Sequence, residues 1–177
     1  MPDSHLAKAV KMQADRVLRK VYLPRIERCL ELLSPAQIWW RPNPASNSIG
    51  NLVLHLTGNV RQWIVAGLGG FPDIRRRDQE FAATGPMPTR ELLRSFRGIV
   101  LRACRILRGL TSTDLSKVHR IQGYRVTGLE ASFHVAEHFS HHAGQIILIT
   151  KSLTGRDLAF TQLPGAKRKK SRPLPAV

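Results

Sequence analysis

Cysteine is nearly missing from this 177-residue chain, which has only Cys29 and Cys104. The two lie far apart inside apolar helical patterns. A disulfide framework is therefore excluded, and two buried, reduced thiols are expected. Long apolar runs are missing too: none approaches the ~20 residues that cross a bilayer. The polar start Met1-Pro2-Asp3-Ser4-His5 carries no visible signal peptide. No membrane association is expected, and a cytoplasmic location follows by default. Aromatic residues make up only 6%, which leaves no stacking platform for single-stranded nucleic acid. Strong strand signals are also lacking. Acidic residues are scarce, 12 against 28 Lys and Arg, for a net charge of +16. That imbalance raises the question of an anionic partner.

Hydrophobic residues are plentiful at 42%, enough for one well-formed core in a chain of this length. Four long stretches carry helical periodicity. The first spans about Ser4 to Leu33 and contains Pro24, where a kink or break is expected. Ser34-Pro35 marks an exit or a new helix start, and Trp39 to Pro44 a rigid loop. The second helix runs from the candidate caps Ser46-Asn47-Ser48 to Gly67. The third runs from about Thr89 to Gly109 and the fourth from about Gly128 to Leu153, ended by Gly155. A long loop, Leu68 to Pro88, joins the second and third, and a short hairpin around Gln122-Gly123 precedes the fourth. The pattern predicts an all-α four-helix bundle with a long crossover between helices 2 and 3. It forms a single domain over residues 1–163, followed by a basic tail, 164–177, expected to be disordered.

The basic residues are clustered in that tail, in Arg75-Arg76-Arg77, and along the third helix at Arg90, Arg94, Arg97, Arg102, Arg105 and Arg108. Arg75, Arg76 and Arg77 alternate with Asp78 and Glu80 closely enough to brace their loop by local ion pairs. The third-helix arginines fall mostly opposite its apolar stripe. Solvated surface is the plain interpretation, and a weak anion-binding face at Arg90, Arg94 and Arg97 is the sharper one.

Histidines are the residues that packing does not explain. Four of the seven crowd one segment, at His134, His138, His141 and His142. Residues four apart share a helix face and can hold one ion together. Two pairs qualify, His134/His138 and His138/His142. The apolar stripe Val135, Phe139, Ile146, Ile149, Leu153 has its gap at His142, so His138 and His142 are the inward pair, while His134 and His141 point further away. Glu137 points about a hundred degrees from His138 and is solvated. Gln145, three residues past His142, suits an orienting role behind an imidazole. His55 sits between Leu54 and Leu56 in the second helix. Whether it faces the pair depends on the fold, not on spacing. Three imidazoles with open positions would be the pattern of a catalytic metal site.

Asn47 to Asn59, with His55 inside it, resembles the second-helix motif of the DinB-like superfamily, closest to an uncharacterised branch. Arg77-Asp78-Gln79-Glu80-Phe81 and the run Glu137 to Ile146 resemble that branch as well. The resemblance extends from about Asp3 to Phe160. It implies a metal-binding four-helix bundle with ligands at His55, His138 and His142. It also implies a homodimer, and kinship with transferases and isomerases in which the metal activates a small thiol. Neutral imidazoles suit a divalent ion such as Zn, Ni or Fe, and ligand type alone does not single one out. One functional reading follows: a metal-dependent thiol transferase or hydrolase acting on a small-molecule thiol or an anionic substrate. The other is a non-enzymatic basic adaptor for nucleic acid or another polyanion. It is less favoured because no nucleic-acid-binding motif is present.

Overall fold

Pro24 cannot donate a backbone hydrogen bond, yet the first helix runs through it. In a computed structural model, which describes residues 4–161 except Pro86, α1 covers residues 5–31. It is α-helical over His5–Arg16 and again over Leu23–Glu31, with a π-helical turn, Val17–Tyr22, between them. In that turn the Leu23 N–H reaches the Leu18 carbonyl, one residue further back than in an α-helix. The wider register lets Pro24 open the next α-helical stretch, where no N–H is needed. The expected kink or break is thus a change of helical register.

A capping box at Ser34 and Gln37, with Pro35 at the first turn, starts the short α2, Pro35–Trp39. The second long helix, α3, covers residues 49–66: an α-helix, Ile49–Val60, runs into a π-helical turn, Arg61–Ala66. Ser48 and Asn51 form its capping box. The crossover that follows is not all loop, as the sequence suggested, because it holds a short helix, α4, Arg77–Ala82. Next come α5, Thr89–Gly109, and α6, Ser112–Ser116. Strands β1, Val118–Ile121, and β2, Tyr124–Thr127, pair antiparallel with Ile121 opposite Tyr124. Gln122 and Gly123 both take positive φ, 52° and 85°, the two-residue turn that matches strand twist. The last helix, α7, is Gly128–Thr154, closed by left-handed Gly155.

Helices α1 and α3 each pack on both α5 and α7. The four therefore form a bundle with α1 diagonal to α3. Its core includes Leu18, Ile26, Leu30, Leu56, Phe96 and Phe139, all buried. Cys29 and Cys104 are free and buried in it. Burial, then the neighbouring Asp15, pushes the Cys104 thiol up to about 12, which makes it inert. Among the described residues no helix is long and apolar enough to cross a membrane. The basic tail, 164–177, lies outside the described residues.

Candidate metal centre

His55 lies on the apolar helix α3, and His138 and His142 lie one turn apart on α7. The bundle packs these two helices together, so residues separated by more than eighty positions meet. The Nε2 atoms of His55 and His138 are 2.9 Å apart. One ligand atom from each of His55, His138 and His142 lies within 4.8 Å of the others, so the three could hold one metal ion. His55 is buried, and the other two are half-buried. Ala143, not His142, fills the core between Phe139 and Ile146, so His142 borders the core without entering it.

Two of the rings have their tautomers set from behind. The His55 Nδ1 is 2.9 Å from Glu80 Oε2. Arg75 Nη2 lies 3.1 Å from the same Nδ1 but donates at 2.9 Å to Glu80 Oε2, and a carboxylate only accepts, so the tautomer that satisfies Glu80 has its proton on Nδ1 and a lone pair on Nε2. The His142 Nδ1 is 2.7 Å from Gln145 Oε1, which likewise accepts and leaves Nε2 bare. Burial, then the neighbouring histidines, lowers the His138 pKa to about 3, and burial also lowers His142. Both are therefore neutral near pH 7.

Glu80 is the residue that sequence reasoning missed as part of the site. It sits on α4, inside the predicted loop. Arg75 clamps it: Nε donates to Oε1 at 2.8 Å and Nη2 to Oε2 at 2.9 Å. That is the expected local brace, but its far side holds His55. Burial pushes the Glu80 carboxyl up, yet the bonds from Arg75 and His55 outweigh it and hold it below its ordinary value. The helix is fixed to the start of α3 by Asn51, whose Nδ2 donates to the carbonyls of Glu80 at 2.9 Å and Ala83 at 2.7 Å. Arg41 adds a bond to the Phe81 carbonyl at 3.0 Å. Gly58 makes room: a Cβ there would lie 1.8 Å from Glu80 Oε1.

The chain belongs to the DUF1572 family. The sequence model of that family, described as a protein of unknown function, matches residues 7–167. Among solved structures, a DinB-like protein from Bacillus cereus superposes with a TM-score of 0.58 at 16% identity, over 76% of this chain and 87% of that one. A DinB-like protein from Bacillus subtilis gives 0.60 at 18%, over 80% and 92%. No curated protein matches. This member of DUF1572 therefore has the helical-bundle fold of those DinB-like structures.

A cavity of about 530 Å³ opens beside the centre, with His55 and His138 in its wall. The sequence pointed His134 away, but it lines this cavity. Its ring stacks on Trp63 with centroids 3.7 Å apart, and its Nε2 lies 3.2 Å from Asn59 Nδ2. Trp63 sits in the π-helical turn of α3, and its indole N–H donates to Gln122 Oε1 at 3.1 Å. At the end of that turn Gly67 lets the hairpin dock, since a Cβ there would meet Ile121 at 2.4 Å. A helix-only pattern hides the π register, and with it the aim of Trp63.

Arg90, Arg94 and Arg97 do not line the cavity. Arg97 forms an ion pair with Glu27 at 2.6 Å, while Arg90 and Arg94 are exposed. His141 and Glu137 are exposed, as expected.

Proposed function

We propose that His55, His138 and His142 bind one divalent ion, of the Zn, Ni or Fe kind, and that the centre serves a transferase or hydrolase acting on a small thiol or anionic substrate. The observation that carries this reading is the shared facing of the rings. The Nε2 atoms of His55 and His138 meet at 2.9 Å, while the proton of His55 is spent on Glu80 behind it. Either His138 donates to His55, or both offer lone pairs to one cation. With its Nδ1 committed to Gln145, His142 offers its Nε2 as a third donor to the second arrangement. Borderline nitrogen donors fit such an ion, and they do not fit Ca²⁺ or Mg²⁺, which take oxygen.

When bound, an ion held by three protein ligands supplies Lewis acidity, which activates a water or thiol for attack on an electrophile. The protein's part is orientation. Glu80 holds the His55 proton on Nδ1 and fixes the ring plane. Arg75 keeps Glu80 ionised and in place. Gln145 does for His142 what Glu80 does for His55. Trp63 and His134 wall the cavity beside the centre with stacked rings. A homodimer is part of the same proposal, supported by the superfamily resemblance.

Metal content of untagged protein tests the reading. About one divalent ion per chain is expected, and its loss is expected in His55→Ala, His138→Ala and His142→Ala. In Glu80→Gln, affinity should fall about tenfold or more, read by competition with a chromophoric chelator. A metal-free wild type under varied metal supply, or full occupancy in the alanine variants, overturns it.

A further inference from the structure

We propose that the cavity beside the histidines takes a small organic carboxylate, and that Arg77 is the residue that reads its charge. This rests on taking the cavity as the substrate chamber of the site, though not on the metal itself. The volume of about 530 Å³ is ordinary for a small-molecule site. Three formally charged side chains line it: Arg75, Arg77 and Glu130. Arg75 is committed, since it chelates Glu80 and its Nη1 donates to Gln62 at 2.9 Å. Glu130 is committed too: its Oε2 accepts from the Thr127 N–H at 2.7 Å and from Thr127 Oγ1 at 2.8 Å, as the capping box of α7.

Arg77 differs. Its guanidinium lies over the Phe81 ring at 5.0 Å, the side chain is exposed, and among the described residues it forms no ion pair. Arg77 is therefore the one cation of the wall left for an anionic ligand, while the Glu130 carboxylate stays at the N-terminus of α7, where the helix end favours a negative charge. A planar guanidinium fork held against a ring is the donor that matches a carboxylate in two parallel hydrogen bonds. Trp63 stacked on His134, with Tyr124 and Val126, gives the wall a flat, ring-lined surface, and Asn59 and Gln122 add neutral polar groups beside it. The indole N–H of Trp63 is already taken by Gln122, so Trp63 offers surface, not a donor. One cation and a wall of rings fit an anion with an apolar body. They do not fit inorganic phosphate, which calls for several donors.

The test is an NMR titration of ¹⁵N-labelled full-length protein with phenylacetate, and with its neutral isostere phenylacetamide. It is run on protein as purified and after zinc loading, with metal content measured on each sample. The probe signal is the Trp63 indole N–H, assigned by its loss in Trp63→Phe. The expected result is saturable binding of phenylacetate, weakened about tenfold in phenylacetamide and about tenfold in Arg77→Gln. Arg77→Gln should leave phenylacetamide binding and metal content as in the wild type. Equal binding of acid and amide, unchanged phenylacetate binding in Arg77→Gln, no binding at all, or equal competition by inorganic phosphate overturns the proposal. Phenylacetate binding through Arg77 in a protein that holds no metal leaves it standing and removes only the metal centre.

Discussion

At the residue scale, the site depends on a missing side chain as much as on the imidazoles. Gly58 lies one helical turn after His55 on the face that meets Glu80. An added Cβ would sit 1.8 Å from Glu80 Oε1 and 2.9 Å from Arg75 Nε. Both groups are pinned, Glu80 between Arg75 and His55 and Arg75 between Glu80 and Gln62. Neither can swing aside without breaking a buried charge-assisted bond. Gly58→Ala should therefore destabilise the fold by about 1–3 kcal/mol despite alanine's better helix propensity, read as a lower urea midpoint. It should also weaken metal binding, because displacing Glu80 frees the His55 ring. Unchanged stability and unchanged metal affinity together would mean that Glu80 is not held as described. Sequence reasoning reaches His138 and His142 because their spacing is local, four residues on one face. Glu80 is 25 residues from His55, and its own sequence surroundings offered only an arginine partner.

At the element scale, the long helices are legible because apolar residues recur at helical spacing, and the hairpin because Gln122-Gly123 suits its turn. The short α4 is not. Arg77–Ala82 carries charged side chains and no apolar period, and its position comes from Asn51 and Arg41 gripping carbonyls of residues 80–83. The π-helical turns escape the same reading, since their register depends on backbone partners and not on side-chain pattern. One tie between long helices has a pH signature. Asp15 on α1, 1% exposed, accepts from Arg19 at 2.8 Å and from Arg108 on α5 at 2.7 Å. Burial raises its pKa, but the bonds and charge of Arg19, with Arg108 beyond, more than offset this and leave it lowered. A carboxyl with a folded pKa below its unfolded one, about 3.9, stabilises the fold fully above that value. The contribution is lost as pH falls through the folded pKa. Asp15→Asn should cost about 1–3 kcal/mol at pH 7. The gap between variant and wild type should close below about pH 4, measured by urea unfolding at a series of pH values. A gap that stays constant down to pH 3 would show that the carboxylate charge is not what joins α1 to α5.

At the scale of the whole molecule, the net charge of +16 is less free than it reads. Arg19 and Arg108 close on Asp15, Arg97 on Glu27 and Arg75 on Glu80, while Arg102 lies over the Phe71 ring at 4.1 Å. Part of the excess therefore serves to join elements. The histidines, which the formal count treats as neutral, sit where two helices distant in sequence converge. An ion shared by His55 on α3 and by His138 and His142 on α7 would bind only the assembled bundle, since the unfolded chain does not bring the three rings together. Binding of that kind stabilises by mass action, by about 2.7 kcal/mol when free metal exceeds its Kd a hundredfold. For a domain of this size that is a rise in Tm of about 5–10 °C. Calorimetry of the full chain with and without a chelator should show the rise, growing with metal concentration. His138→Ala should melt at a temperature that metal does not move, even if its own fold is somewhat weaker. A metal-dependent rise of equal size in that variant would place the ion elsewhere and leave the 2.9 Å contact between His55 and His138 as an ordinary hydrogen bond within the core.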